Sequence, residues 1–402
     1  MGTLRVLIVG GSNFVDYPAG GIKYFLRNIL KAVDMTDLEI SLAGLTTNPD
    51  EKVGLWSKRE IDSRVFPFIP VYLQKKLGSD EKPNVPIRVG MLMGLWRNKH
   101  RLQMKLFDVL YIHCSELVLP FLIPRREVSI VFHWHEVIRK VALNSRYAFF
   151  RNKFAAELFY QINKLVLKKS DRVLTISEEG YRLCSSILPD RKDRFTVVPA
   201  CVDTKLFRPM DKAVVRKAHG FLSSRTILFT GRLERLKGLD LLLEAFALVN
   251  KEYKDAQLLL AGEGMERRRL EAKTRTLGLD SHVHFLGEVK HDGVAEVMNC
   301  ADVFALTSLS EGCPSAVLEA LACGLPIVST NVGHISKIVK DGETGFIVNG
   351  RDPQAFANAL AKGLEMGKSM KDNCVKKANH YSTKGIAKSI VDALRGTYES
   401  KK

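Results

Sequence analysis

The chain has 402 residues, of which 46% are hydrophobic and 26% are charged, and this balance is typical of a soluble globular protein. It excludes a disordered chain, a collagen-like repeat and a polytopic membrane protein, and the length predicts two or three domains of about 100–200 residues each. The net charge of +17 favours anionic partners, which include phosphorylated ligands, anionic lipid and nucleic acid.

The cellular compartment follows from the amino terminus and the cysteines. No uninterrupted apolar run reaches the ~18 residues that span a bilayer, and the first residues are typical of a β-strand rather than of a signal peptide. The seven cysteines are an odd number without metal-type spacing. They predict reduced thiols in a cytoplasmic protein without a zinc site.

In chain order, the first half alternates strands with helices. The pattern predicts strands at 4–9, 39–45, 109–113, 128–132, 172–176 and 195–198. It predicts helices at 22–33, 151–168 and from 177 onwards. Residues 46–105 are less regular and contain an apolar segment at 65–77 and a basic helical stretch at 97–105. Such alternation is typical of a parallel α/β sheet.

A polar segment at 206–224 is interpreted as a linker, after which the alternation restarts. Strands are predicted at 226–230, 257–261, 283–285, 303–306 and 326–330, and a turn and strand near 341–348. Helices are predicted at 239–249, 266–277, 292–300, 314–323 and 353–363, with a last one after 382. The fold class is therefore α/β, with two doubly wound parallel-sheet domains at 1–205 and 206–382. The last helix, at about 383–402, is expected to complete the first domain, and the active site is expected in the cleft between the domains.

The most specific motif surrounds Glu311 and Glu319, which lie eight positions apart. Between them, Pro314 suits the first position of a helix. The free amides at such a helix start bind anions, and phosphate is the natural guest. Glu311 could accept hydrogen bonds from sugar hydroxyls, and Glu319 from a ribose. The amides concerned belong to Gly312, Cys313, Ser315 and Ala316.

The segment EGCPSAVLEALACGLPIVST, at 311–330, resembles the E-x7-E donor-site motif of the retaining glycosyltransferases with the GT-B fold. This family 4-like group is also described as glycosyl transferases group 1. Gly231-Arg232-Leu233 with Lys237-Gly238 is similar to a second family motif, and the resemblance extends over residues 226–350. It implies two Rossmann-like domains that face a central cleft, the first for the acceptor and the second for a nucleotide-sugar donor. The implied activity is a hexosyltransferase that moves a sugar from a UDP- or GDP-sugar to an acceptor hydroxyl.

The resemblance implies four catalytic residues. Arg232 and Lys237 would neutralise the diphosphate as it leaves, which is electrostatic catalysis. Glu311 would bind the donor sugar, and His135 would contact sugar hydroxyls near the anomeric carbon. His133 is the competing alignment for this histidine. No D-x-D carboxylate motif is present, so the resemblance implies departure of the diphosphate without a metal, and no cofactor is expected.

The rest of the implied donor site is mostly backbone. A glycine pair before the first helix would let the chain approach the diphosphate, and backbone near 287–289 would hold the base, which leaves UDP and GDP as alternatives. Cys313 stands where relatives usually have a bulky apolar residue. The implied donor-binding residues are Gly20, Gly21, Gly231, Gly287, Val289, Gly312, Cys313, Pro314, Ser315, Ala316 and Glu319.

The acceptor is expected to bind the first domain. There, a helix predicted at 89–105 combines apolar residues, among them Met93 and Trp96, with a basic end. This is typical of an interfacial element that contacts anionic membrane, although a core-packed helix with a solvated end fits equally. The interfacial interpretation predicts peripheral association with the cytosolic face of a membrane and a lipid-linked or glycan acceptor.

Other functions stay open at this stage. A sugar-nucleotide epimerase of the same fold would release epimerised donor without any acceptor. A non-catalytic protein that binds nucleic acid or anionic surfaces would show strongly salt-dependent binding, but no aromatic–basic RNA-binding signature supports a nucleic-acid partner. An NAD-dependent oxidoreductase would need a G-x-G-x-x-G fingerprint, which the first strand lacks.

Overall fold

The computed structural model describes residues 2–18, 21–77, 85–122, 128–135, 153–220 and 225–402. The chain forms two compact units. The first consists of Met1–Pro199 together with Thr383–Lys402, and the second consists of Ala200–Ser382.

The first unit is built on an eight-stranded sheet with the order β3-β4-β2-β1-β5-β6-β7-β8. All neighbouring strands are parallel except the β3–β4 pair, which is antiparallel. The central strands are short and almost wholly apolar because helices cover both faces of a parallel sheet. The strands are β1 Leu4–Val9, β2 Leu38–Thr46, β3 Ser57–Ile61, β4 Arg64–Leu73, β5 Val109–Ile112, β6 Ser129–Trp134, β7 Arg172–Thr175 and β8 Phe195–Val197.

The helices of this unit begin after strand ends, as in other α/β folds. For example, the Ser177 hydroxyl accepts a hydrogen bond from the Gly180 amide and so caps the helix that follows β7. The helices are α1 Gly21–Ala32, α2 Ile87–Asn98, α3 Leu119–Leu122, α4 Lys153–Lys169 and α5 Glu178–Ile187. Short 3-10 turns lie at Lys99–Leu102, Met104–Leu106, Ser115–Val118 and Pro189–Arg194.

Two predictions for the irregular stretch 46–105 differ from the structure. The apolar segment forms β4, and Pro70 lies where the β2–β4 register shifts, which is the kind of position where a strand tolerates proline. The predicted helix 89–105 ends at Asn98, and two 3-10 turns follow it. Gln103 between these turns has a left-handed φ of 48°, so a continuous helix is interrupted there.

The second unit has a six-stranded sheet with the order β11-β10-β9-β12-β13-β14, in which all neighbouring strands are parallel. The strands are β9 Arg225–Thr230, β10 Ala256–Ala261, β11 Val283–Gly287, β12 Val303–Leu306, β13 Ile327–Thr330 and β14 Gly345–Val348. The helices are α6 Lys212–His219, α7 Leu239–Glu252, α8 Arg267–Thr276, α9 His291–Asn299, α10 Ser315–Ala322, α11 Ile335–Ile338 and α12 Pro353–Asn379, with a 3-10 turn at Arg235–Lys237.

The last helix, α13 Thr383–Glu399, belongs to the first unit. It packs beside α1, and the Thr397 hydroxyl accepts a hydrogen bond from Arg172 Nε at 2.9 Å. The first unit ends at Pro199 rather than at the predicted residue 205. Val202 and Phe207 explain the difference, because both are buried in the core of the second unit.

The predicted fold class, two doubly wound α/β domains, is confirmed. Two predicted boundaries need correction. The predicted linker 206–224 contains α6, which Asp211 caps by accepting hydrogen bonds from two backbone amides. The helix predicted at 353–363 continues to Asn379. None of the seven cysteines, all within the described residues, forms a disulfide bond. Within the described ranges, no helix combines the length and apolar character needed to cross a membrane.

Candidate functional site

The candidate site of the second unit lies at the carboxyl ends of β9 and β12. These neighbouring strands are where the strand order reverses, which is the usual ligand position in a doubly wound sheet. Two loops meet there. Leu309 donates its backbone amide to the Leu236 carbonyl at 2.8 Å, and the Thr307 hydroxyl donates to the Lys237 carbonyl at 3.0 Å. The loop after β9 and the loop after β12 are therefore held side by side.

Lys237 and Glu311 form the centre of this arrangement. Lys237 Nζ donates to Glu311 Oε1 at 2.6 Å, and the Ser308 hydroxyl donates to the same oxygen at 2.7 Å. The two side chains are 25% and 13% exposed. Glu311 Oε2 accepts no hydrogen bond within the described part of the chain, so one face of the carboxylate stays available to a ligand. Two of the four predicted catalytic residues are thus in direct contact.

Arg351 fixes the loops behind this pair. Its guanidinium donates to the Thr307 carbonyl at 2.8 Å and to the Gly238 carbonyl at 3.1 Å. Gly238 has a φ of 58°, and a Cβ there would lie 2.4 Å from the Thr307 carbonyl oxygen. Arg351 and Ser308 were not singled out in the sequence, because only the folded chain brings them to the loops that they hold.

Arg232, the third predicted catalytic residue, is placed differently. Its side chain is 57% exposed and pairs with Glu234 at 3.0 Å. The loop that carries it is tied to the neighbouring strand, since Gly231 donates its amide to the Ala261 carbonyl at 2.9 Å. A Cβ on Gly262 would lie 2.0 Å from the Gly231 carbonyl oxygen, so this contact requires glycine. The guanidinium is thus near the loop surface, where an anion can reach it.

The predicted anion site at the start of α10 has one local difference. Pro314 is the N-cap residue, with extended backbone angles of −72° and 109°, and the helix begins at Ser315. The prediction had Pro314 as the first helical residue. The four amides of Gly312, Cys313, Ser315 and Ala316 donate no hydrogen bond to another described residue. Because a helix start carries a partial positive charge, these amides can bind an anion.

Gly333, in the loop after β13, packs against the backbone just before this anion site. Its φ is 57°, and a Cβ would lie 2.3 Å from the Gly312 carbonyl oxygen and 2.4 Å from the Glu311 carbonyl oxygen. The next residue, His334, donates its amide to the Gly312 carbonyl at 2.8 Å. The chain just before α10 therefore packs so closely against Gly333 that only glycine fits at this position.

Glu319 lies on α10 and is half-buried. Its carboxylate has no hydrogen bond or ion pair among the described residues, and burial raises its pKa to about 7. Cys313 is also half-buried, and burial raises the pKa of its thiol to about 12, which makes it unreactive at neutral pH. Glu319 is thus an unsatisfied acceptor beside the helix start, which suits a hydroxyl group of a ligand.

The backbone predicted to hold the base is at the end of β11, the outermost strand of this sheet. Gly287 has a φ of 72°, and its carbonyl accepts a hydrogen bond from the Gly262 amide at 2.7 Å. Val289 follows and is half-buried. The contact with Gly262 links this strand end to the loop that packs against Gly231.

The predicted residues of the first unit form a separate set. Gly21 begins α1 in open space, and Gly20 lies outside the described residues. His133 is fully buried and its Nδ1 is 2.6 Å from Tyr111 Oη. His135 is partly exposed, and its Nε2 is 2.8 Å from His113 Nδ1. Tyr111 and His113 were not predicted as site residues, because only the pairing of β5 with β6 brings them next to His133 and His135.

Comparison with known proteins shows what this second unit is similar to. Residues 211–381 match the family described as glycosyl transferases group 1. The chain is 32% identical over 245 residues to a D-inositol 3-phosphate glycosyltransferase of Corynebacterium urealyticum. That match covers 58% of this chain and 56% of the relative. The chain thus spans about half the length of this curated relative.

Solved structures with low sequence identity share the fold. A sucrose-phosphate synthase of Thermosynechococcus elongatus is 19% identical, with a TM-score of 0.80, and the match covers 99% of this chain and all of that chain. HepE of Anabaena, solved in complex with UDP and glucose, is 18% identical with a TM-score of 0.73, over 98% of this chain and all of that one. The chain therefore shares the GT-B fold with these glycosyltransferase structures, and residues 211–381 of its second unit match glycosyl transferases group 1.

Proposed function

We propose that this protein is a retaining glycosyltransferase that moves a sugar from a nucleotide-diphospho-sugar to an acceptor hydroxyl. The observation that carries the proposal is the Lys237–Glu311 pair beside the four free amides at the start of α10. The cation and the helix start can bind the diphosphate, and the carboxylate oxygen that accepts no hydrogen bond can bind the sugar. The family match of residues 211–381 supports the same activity.

Each group has a role in this proposal. The α10 amides, Lys237 and Arg232 bind the diphosphate and stabilise its charge as the bond between the anomeric carbon and phosphate oxygen breaks. Glu311 accepts hydroxyl hydrogen bonds through Oε2 and orients the sugar. The acceptor oxygen bonds to the anomeric carbon on the face that the phosphate leaves, and the acceptor proton passes to the departing phosphate. His135 is proposed to contact the same sugar.

The nucleotide is proposed to be bound by Glu319 and by backbone near Gly287 and Val289. Glu319 would accept hydrogen bonds from ribose hydroxyls. UDP is favoured over GDP, because the similar fold of HepE was solved with UDP and glucose. Since Lys237 and Arg232 are proposed to neutralise the diphosphate, donor binding in this unit is proposed to need no divalent ion and no cofactor.

The acceptor is proposed to be lipid-linked, on the strength of the outer face of α2. Val89, Met93 and Trp96 lie at helical spacing and are 45%, 46% and 54% exposed. The opposite face packs into the core through Met91 and Leu95. Exposed basic residues continue from the same helix, namely Arg97, Arg101 and Lys105. An apolar stripe beside cations is suited to the surface of an anionic bilayer.

Vesicle sedimentation tests this membrane contact. The full chain is expected to sediment with phosphatidylglycerol vesicles and to stay in the supernatant with phosphatidylcholine vesicles. Met93→Ser combined with Trp96→Ser should abolish sedimentation, whereas Val214→Ser, at a 65% exposed position on α6, should not change it. Equal sedimentation of both variants would contradict the assignment and favour a soluble glycan acceptor.

Product analysis tests the transfer itself. The protein is incubated with UDP- and GDP-sugars, with and without lipid-linked and glycan acceptors, and the product is followed by NMR. The expected result is one new glycosidic bond with the anomeric configuration of the donor, formed only when an acceptor is present. An inverted product would overturn the retaining mechanism. Epimerised donor formed without any acceptor would establish the epimerase instead.

A further inference from the structure

Three imidazoles converge at the carboxyl ends of β5 and β6 in the first unit. His113 directly follows β5, His133 lies in β6 and His135 follows it. One ring nitrogen from each lies within 4.8 Å of the other two. The ring centroids are 4.3 Å to 5.4 Å apart, so the three rings form one tight cluster.

Two buried ring nitrogens of this cluster have no hydrogen-bond partner among the described residues. His133 Nδ1 is bonded to Tyr111 Oη, and His113 Nδ1 is bonded to His135 Nε2. His113 Nε2 and His133 Nε2 are buried and have no hydrogen-bond partner among the residues that the structure describes. A buried polar atom without a partner costs about 1–3 kcal/mol, so two of them in one cluster indicate a missing ligand.

We propose that His113, His133 and His135 bind a divalent transition-metal ion, with Zn²⁺ as the favoured occupant. The donors are all imidazoles, which suit zinc, copper, iron and nickel rather than magnesium or calcium. Zinc–nitrogen distances of about 2.0–2.1 Å separate the ligand nitrogens by about 3.3 Å in a tetrahedral site. His113 Nδ1 and His135 Nε2 are 2.8 Å apart, and the three ligand atoms lie within 4.8 Å of one another, so this value falls inside the range of the cluster.

The surroundings of the cluster have the properties of a metal site. Tyr111 would act as the outer partner that fixes the tautomer and orientation of His133, as carboxylates and carbonyls do for other ligating histidines. Neutral imidazoles offer the lone pairs that a metal requires.

One charge opposes the ion. Arg88 contributes to the lowered pKa of His135, and its ion pair with Glu116 at 3.4 Å partly offsets its charge. Three protein ligands leave the fourth position of the ion to water or a substrate oxygen. The partly exposed His135 marks the side from which such a group would enter. The proposal concerns metal occupancy of the first unit and does not rest on the proposed nucleotide site in the second, although it shares His135 with the proposed sugar contact.

Metal titration of the full chain, freed of any histidine tag and stripped with a chelator, tests the proposal without nucleotide. Co²⁺ is expected to bind one equivalent and give the intense visible bands of a four-coordinate site, and Zn²⁺ should displace it. His135→Gln should weaken binding at least about 100-fold, and Tyr111→Phe, which removes only the outer partner, about 10-fold. His284→Gln should leave the affinity unchanged, although His284 lies close to His282 on β11.

Thermal melting of the stripped proteins serves as the folding readout. If His133→Gln does not fold, His135→Gln decides the question, because His135 is only partly buried. Absence of stoichiometric binding would overturn the proposal, and so would a purely six-coordinate Co²⁺ spectrum. Equal loss of affinity in His284→Gln would do the same, and the cluster would then be a hydrogen-bonded chain of neutral histidines.

Discussion

Lys237 and Glu311 neutralise each other in the structure, and a bound diphosphate would change that balance. Among the residues that the structure describes, Glu311 is the one charged partner of Lys237, whereas Glu311 also accepts a hydrogen bond from Ser308. The carboxylate therefore keeps one donor when the lysine is removed. For this reason the pair can be separated by mutation without leaving Glu311 wholly unpaired.

Lys237→Ala is expected to lower kcat/KM for transfer by about 10²–10³, the usual cost of losing one preorganised group that stabilises transition-state charge. The melting temperature should fall by only a few degrees, because Ser308 still holds Glu311. The matched control is Lys251→Ala, an exposed lysine at the end of α7, which should leave both quantities unchanged. Activity retained in Lys237→Ala would remove the lysine from the proposed mechanism.

Glu319 is expected to make the proposed nucleotide binding depend on pH. Its pKa of about 7 in the folded chain lies above the reference value of 4.5. Ribose hydroxyls donate to the ionised form, so binding should tighten about tenfold as the pH rises from 6 to 8. Glu319→Gln should flatten this dependence, as measured by calorimetric titration with the nucleotide. A pH profile unchanged by the substitution would place the ribose elsewhere.

The same residue affects the stability of the ligand-free chain. Because the folded pKa is raised, the stabilising effect of protonated Glu319 is complete below pH 4.5 and is lost as the pH rises through about 7. Glu319→Gln is therefore expected to gain stability relative to the wild type as the pH rises from 5 to 8. Melting curves at both values check the sign.

Among the elements, α10 is positioned by the loop after β13, which contains Gly333. Gly333 and Gly342 both have a left-handed φ, of 57° and 75°, but only Gly333 closely approaches other backbone. Gly342→Ala should cost about 1 kcal/mol, the penalty of a left-handed non-glycine residue. Gly333→Ala should cost clearly more and should also abolish nucleotide binding, because the new Cβ displaces the chain at Glu311 and Gly312.

Chemical denaturation and nucleotide titration of the two variants measure both effects. The shared backbone conformation makes Gly342→Ala a matched control, so the difference between the variants reports the close approach alone. If Gly333→Ala bound nucleotide as tightly as Gly342→Ala, the start of α10 would not be the anion site.

Elements with a clear alternation could be predicted from the sequence. The apolar runs of β1 and β12 fix both strands at the predicted residues, since a buried parallel strand needs little else. The β3–β4 hairpin was missed because β4 contains two prolines. The end of α12 was predicted too early at Gly363. This glycine instead allows the helix to pack closely on Val303 and Val328.

The site could be predicted only as far as its motifs reach. Lys237 and Glu311 were assigned from local patterns, although 74 positions separate them in the chain. Their direct contact, and the supporting roles of Ser308 and Arg351, depend on neighbouring loops that the sheet order brings together. The histidine cluster was missed for the same reason, because His113 is 20 positions from His133 and meets it only through β5–β6 pairing.

At the scale of the whole molecule, the two units carry different proposed tasks. The second unit would bind the donor through its cations and helix start. The first unit combines an exposed apolar helix face, basic residues and the histidine cluster. The net charge of +17 is consistent with both an anionic donor and an anionic membrane. Transfer, its pH dependence and the expected effects of the loop variants all require that the second unit binds the donor.

The most direct test is thermal melting of the full chain with UDP, GDP, ADP and their sugars, in the presence of a chelator. A ligand at about 100 times its Kd stabilises the native state by about 2.7 kcal/mol. One UDP- or GDP-sugar is expected to raise the melting temperature of the second unit by about 5 °C or more, and Glu311→Gln is expected to remove most of this shift. A folded sample that responds to no nucleotide or nucleotide sugar would contradict the donor site and favour a non-catalytic binding protein.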